Sequence, residues 1–253
     1  MARKFNVFLV TIICIILTYY VAILLHEWGH GTAAWLFGYK HTPFDIIYGS
    51  WYLMPVSENV DYDAIMAAKH GTRAALIGIA GPTVTLVLFL ISLFMLQLKR
   101  IQKNIFSLSF FFWLANINLM EIFSYIPNRT FTTGDISRFN HGFNISPFWI
   151  FVPVTLFVIY AFFRLYGFEI IKMYAFLPIQ STWMRRLFLW LTFWILILQI
   201  VYWSRPFEYK IVAYTANILS LLFILIILII CDPANNWVKQ ATLNMRQIFR
   251  VRK

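Results

Sequence analysis

His26, Glu27 and His30 lie within one stretch, His26-Glu27-Trp28-Gly29-His30. On a helix, residues four apart share a face. The two imidazoles can therefore each give a ring nitrogen to one metal ion, with the Glu27 carboxylate beside a water held there. That is the local geometry of a zinc hydrolase. The chain holds only five His and five Glu among 253 residues, and random placement yields an H-E-x-x-H pattern roughly 0.002 times. The plainer reading, two histidines satisfying hydrogen bonds near a membrane surface, leaves a carboxylate and two imidazoles buried in an apolar helix without a purpose. A zinc ion supplies one.

The elements that must position this pentad belong to a membrane protein. The chain is 61% apolar and 12% charged, with a mean hydropathy of +0.72, outside the range of soluble globular domains. About 20 apolar residues span a bilayer, and six segments of the required character occur: Phe5 to Leu25, Ala74 to Leu98, Ile105 to Ile126, Pro147 to Phe163, Leu187 to Trp203 and Ile211 to Cys231. The predicted fold is therefore an α-helical integral membrane protein, multi-pass, with a short hairpin or re-entrant segment after the first helix. No small-residue cleavage site follows the first span, and the pentad continues its helix, so it does not read as a signal peptide.

A net charge of +11 invites a nucleic-acid reading, but its placement argues for topology, because cationic residues gather in cytoplasmic loops. With the N-terminus inside, fourteen of the twenty-one Lys and Arg fall on the cytoplasmic side, including Arg3, Lys4, Lys99, Arg100, Lys103 and the tail from Lys239 to Lys253. The other seven are diluted by Asp45, Glu58, Asp61, Asp63, Asp135 and Glu208. Both termini are thus expected to be cytoplasmic, and the basic tail is suited to anionic lipid headgroups. Cys14 and Cys231 fall inside spans, where they pack as small apolar residues. No soluble insert or internal repeat interrupts the chain. A single membrane domain over 1–253 is expected, with a core of about 5–140, further helices over about 147–231 and the tail over 239–253.

The first helix is predicted to continue through the pentad to Phe37, with Gly38 as its stop. The stretch His26-Glu27-Trp28-Gly29-His30-Gly31-Thr32-Ala33-Ala34-Trp35-Leu36-Phe37-Gly38 fits H-E-x-G-H-x-x-x-A-x-x-x-G and resembles the first signature of the site-2 protease family, membrane-embedded zinc metalloproteases. Phe44 to Val56, with Gly49-Ser50 as a turn signal, reads as a hairpin or re-entrant ribbon, or equally as an interfacial loop with an aromatic belt; in the resembled family a sheet here offers its edge to an extended substrate. Ala80-Gly81-Pro82 in the second span resembles the family's weaker second motif and suits a kink and close packing. His70 reads as a surface hydrogen-bonding residue, with a further metal ligand or a proton carrier as the alternatives.

The third span carries Asn116, Asn118 and Glu121, polar groups that should face the bundle interior. It runs parallel to the first span, so the pentad and the segment after it, Pro127 through Thr132-Thr133-Gly134-Asp135, emerge on the same side. Catalytic zinc takes three protein ligands and keeps one position for water. The resemblance points to Asp135 as the third ligand, an Asp beside a Gly after this span, although here the order is Gly-Asp and Asn118, Pro127 and Asp135 are spread out. Glu121 is the rival ligand, or else a buried partner for Arg129 or His70. The resemblance also gives Asn118, or Asn116, a role in steadying the oxyanion or substrate backbone; an interhelical hydrogen bond is the alternative.

With the resemblance, these residues imply hydrolysis of peptide bonds in membrane protein substrates, with Glu27 as general base and His26, His30 and Asp135 on Zn2+. Two rivals stand beside it: a zinc hydrolase of lipid or acyl-amide bonds, and a non-catalytic metal-binding scaffold, which would not require Glu27. No nucleic-acid partner is expected; the partners are the bilayer and a membrane protein or peptide substrate.

Overall fold

The apolar run that opens the chain forms one helix, α1 (Ala2–Leu36), which carries the pentad in its last three turns. It ends as the small residues predict. Gly38 takes φ +79°, its N–H bonds to the Trp35 carbonyl (3.0 Å) and that of Tyr39 to Ala34 (2.9 Å), the paired bonds of a Schellman stop. The computed structural model describes residues 2–50, 56–125, 129–131, 134–177, 179, 181–202 and 210–251.

Short α2 (Tyr62–Ala67) leads into α3 (Gly71–Met95), and α4 (Lys99–Gln102) turns the chain into α5 (Ile105–Ser124). Next come α6 (Asp135–Phe143) and α7 (Phe148–Arg164), which passes through a π-helical turn, Leu165–Glu169, into α8 (Ile170–Phe176). Helices α9 (Thr182–Tyr202), α10 (Lys210–Ile230) and α11 (Asn236–Val251) complete the described chain. Among the described residues, four helical stretches are long and apolar enough to cross a membrane: Val7–Leu36, Gly71–Met95, Ile105–Ser124 and Phe148–Phe176. They are compatible with a multi-pass membrane protein. The fourth runs thirteen residues beyond the Phe163 limit drawn from sequence, because Arg164 and Lys172 both pair with the buried Glu169 and need not end the helix. Helices also occupy the fifth and sixth expected segments, as α9 and α10.

α3 is the centre of the assembly, packed by α1, α5 and α6. Glycines set the approach distances. A side-chain carbon on Gly29 would stand 3.1 Å from the Ala80 carbonyl oxygen, tighter than an ordinary contact, and one on Gly78 would stand 2.9 Å from that of Asp135, too close for a Cβ. Thus α1 and α6 lie against α3 at backbone distance, as small residues permit in membranes. Gly71 and Gly142 leave no room for a Cβ where α3 and α6 cross. Cys14 and Cys231 are buried and unpaired, as expected.

Among the described residues the excursion after α1 forms no strand. Ile47 and Ser57 make a single antiparallel bridge, exchanging bonds of 2.9 and 3.1 Å, and Gly49 takes φ +63°. Residues 51–55 of the expected ribbon lie outside the described residues, as do Pro127, Asn128, Thr132 and Thr133. The excursion presses on α1 at the pentad: Gly31 faces the Pro43 carbonyl with no room for a Cβ, and the Trp28 and Phe44 rings meet edge to face at 5.2 Å.

Candidate metal centre

His26 and His30 point from α1 toward Gly81 of α3. A Cβ on Gly81 would lie 2.7 Å from His26 Nε2 and 2.6 Å from His30 Cδ2. Glycine is required because the imidazoles fill its side-chain space. Gly81 is ten residues into α3, about 15 Å along its axis, so the centre lies within the span. Each ring is fixed from behind. His30 Nδ1 stands 2.7 Å from the Ile77 carbonyl and His26 Nδ1 2.8 Å from Thr85 Oγ1. A carbonyl only accepts, so His30 carries a proton on Nδ1, which leaves Nε2 as the ring nitrogen turned inward to bind a metal.

Asp135 meets them from the first turn of α6. Gly134 precedes it at φ +154°, a conformation suited to glycine; this local need accounts for the Gly-Asp order. The Asp135 carboxylate turns Oδ2 to His26 Nε2 (3.4 Å) and Oδ1 to His30 Nε2 (3.7 Å), and the two Nε2 atoms are 3.1 Å apart. Ligands about 2.1 Å from a zinc ion at tetrahedral angles stand about 3.4 Å from one another. The separations, which reach two different oxygens of Asp135, are close to that length, and one ligand atom from each of the three residues lies within 4.8 Å of the other two. All three residues are buried, and they form a group able to hold a metal ion.

Arg129 Nη2 holds Asp135 Oδ2 at 2.7 Å, and its Nη1 pairs with Glu121. The Tyr125 hydroxyl donates to Asp135 Oδ2 at 3.2 Å, and the Arg129 guanidinium lies over the Tyr125 ring. Burial alone would raise the Asp135 pKa, but Arg129 and then His30 hold it well below the usual carboxylate range. Arg138 Nη1 lies 3.6 Å from Asp135 Oδ1 and 2.6 Å from Glu58 Oε1. Burial raises the Glu58 pKa, yet His30 and Arg138 outweigh it and leave the group lowered.

Glu27 follows His26 on the helix, with its Oε2 buried and without a hydrogen-bond partner. Of the two acids weighed for the third position, Asp135 joins the histidines, whereas Glu121 serves Arg129. Asn118 is fully buried; its Nδ2 donates to its own helix at Leu114 O (2.7 Å) and its Oδ1 has no hydrogen-bond partner. It shares a stripe of α5 with Glu121 and Tyr125. Asn116 bonds Tyr166 at 2.6 Å, the interhelical alternative. His70 is exposed and bonds the Tyr39 hydroxyl at 2.7 Å. Sequence reasoning missed Tyr125, Arg138, Glu58, Thr85 and the place of Gly81; only Arg129 and Gly81 carried a signal there, as a candidate ion-pair partner and a motif glycine.

A cavity of about 560 Å³ lies between α2 and α6, lined by Tyr62, Asp63, Gly134, Ser137, Arg138 and His141 among others; it touches residues on either side of Asp135 in the chain but none of the three residues of the metal group. No protein family, characterised protein or solved structure matches the chain.

Proposed function

We propose that the protein is an intramembrane zinc metalloprotease, similar to the site-2 proteases, that hydrolyses peptide bonds in or near membrane-spanning segments. The observation that carries this reading is the buried group of His26, His30 and Asp135 beside Glu27, whose Oε2 has no hydrogen-bond partner, with both histidines on a helix long and apolar enough to cross a membrane. Zinc held there would lower the pKa of a bound water toward neutrality and polarise a substrate carbonyl.

The residues of the chain do the rest. Glu27 takes the proton from the attacking water and returns it to the leaving nitrogen. Arg129 and Tyr125 keep Asp135 ionised and aimed. The Ile77 carbonyl and Thr85 hydroxyl lock the imidazole rotamers. A helical substrate hides its peptide bonds in its own ladder and must open first; the excursion bridged at Ile47 and Ser57, with Phe44, Ile47 and Tyr48 exposed, gives an opened strand a surface to lie on. In this reading α9 and α10 also cross, making six spans with both termini cytoplasmic.

The test is cleavage of a single-span substrate in proteoliposomes. Glu27→Gln keeps its zinc and loses activity by about 10²- to 10⁴-fold, the usual weight of a general base. Undiminished cleavage by that variant would remove the basis of the proposal.

A further inference from the structure

The opposite end of the spans carries a second site. Between the π-helical turn, α10 and α11 lies an apolar cavity of about 650 Å³, lined by Phe163, Gly167, Phe168, Phe223, Ile227 and Trp237 among others, within the size range of ligand sites. A π-turn widens a helix and often marks function. Here it places Gly167 on the cavity wall, where an added Cβ would have only the Phe163 ring, at 3.8 Å, for a neighbour. α11 closes the cavity from the side of the tail. Val238 and Thr242 are buried, Arg246 donates to the Ala175 and Tyr174 carbonyls of α8 (3.2 Å each), and Trp237 Nε1 donates to the last carbonyl of α10 (2.8 Å). The next stripe of α11, Trp237, Ala241 and Met245, faces the cavity.

Charge is stored at the same turn. Glu169 is buried and holds two cations, Arg164 at 2.6 Å and Lys172 at 2.8 Å, with Gln97 from the end of α3 at 3.0 Å. One positive charge is left over. Lys172 is spent inside, its side chain 9% exposed and bonded to Leu96 O and Gln97 Oε1. The Arg164 side chain is 24% exposed, and its guanidinium stands 5.2 Å from the centroid of Phe168, a ring of the cavity wall. An apolar slot with a surplus cation at its rim, where α3 ends and the basic helix α11 begins to cover it, matches a molecule with an apolar chain and an anionic head. A neighbouring apolar helix would fill the slot but leave the charge unanswered in the bilayer.

We propose that this cavity binds an anionic phospholipid, one acyl chain between the π-turn, α10 and α11 and its phosphate against Arg164. The site is separate from the metal centre and does not depend on its chemistry. The test uses the full chain in detergent, with palmitoyl-oleoyl phosphatidylglycerol or the matching phosphatidylcholine added, read by native mass spectrometry and thermal shift. The wild type retains one phosphatidylglycerol per chain, with about a fivefold preference over phosphatidylcholine, the weight of one basic residue at an anionic surface. Arg164→Gln makes the two lipids equal. Gly167→Leu and Ala241→Phe fill the slot and lose retention while zinc content stays at the wild-type level. Equal retention of both lipids by the wild type, which needs no variant to fold, overturns the proposal. So does the same thermal shift from inorganic phosphate, which would leave the acyl chain no role, or a co-purified polypeptide occupying the groove, which would make it a helix-docking face.

Discussion

Replacing Gly81 by Ala adds one methyl group to a residue that ligates nothing, and the geometry expects it to empty the metal centre. The new Cβ would stand 2.7 Å from His26 Nε2 and 2.6 Å from His30 Cδ2. To regain an ordinary contact near 3.5 Å, each ring must retreat by roughly 0.8 Å or more, against a tolerance of about 0.2 Å for ligand distances at a metal. Parting the helices instead would give up the close packing of Gly29 against the Ala80 backbone. Alanine favours a helix over glycine by about 0.5–1 kcal/mol, so the metal-free protein should keep its helical content. The expected result is a loss of zinc affinity of about 100-fold or more, at or beyond the top of the range for groups that only orient ligands. Purified variants would be compared by elemental analysis and chelator competition, with Gly167→Ala, whose Cβ meets nothing closer than 3.8 Å, as the control. Wild-type affinity in Gly81→Ala would refute the placement of the rings over this glycine.

Other perturbations give distinct signatures. Gly142→Ala would put a Cβ 2.8 Å from that of Ala75, push α6 off α3 and carry Asp135 with it; zinc affinity should fall at least about tenfold without a ligand being touched. Asp135 is held below its ordinary value of 3.8, so its contribution to stability is complete above pH 3.8 and is lost as pH falls through the lower folded value. Arg129→Gln removes the main opposing charge, lets burial raise that value, and should move the acid limb of metal-free thermal stability upward in pH; coincident limbs would contradict the role given to Arg129. Free zinc at 100 times its dissociation constant should add about 2.7 kcal/mol of stability, and a chelator should remove it. Asn118→Ala should leave zinc content unchanged, since its amide serves Leu114.

The pentad, the run of α1 to its Gly38 stop and the character of the first three spans were legible because each is local: a spacing, a hydrophobic length, a capping glycine. Asp135 was reachable only through resemblance, and the reason for its Gly-Asp order, the φ +154° at Gly134, is a backbone fact with no periodic signature. Arg129 and Tyr125 were obscured because they act across a turn on a residue that neither adjoins. Arg138 and Glu58 were obscured for another reason: 80 residues separate them, and only the docking of α6 and the excursion brings them together. The fourth span was drawn short because Arg164, Glu169 and Lys172 look like an end when read singly, and become an interior network once α3 supplies Gln97.

The central claim is that His26, His30 and Asp135, and not Glu121, hold one zinc ion. Elemental analysis of purified wild type, His26→Ala, Asp135→Ala and Glu121→Gln tests it most directly. The account predicts about one zinc per chain in the wild type and in Glu121→Gln, and loss in the other two. Zinc retained in Asp135→Ala, or lost only when Glu121 is changed, would contradict it.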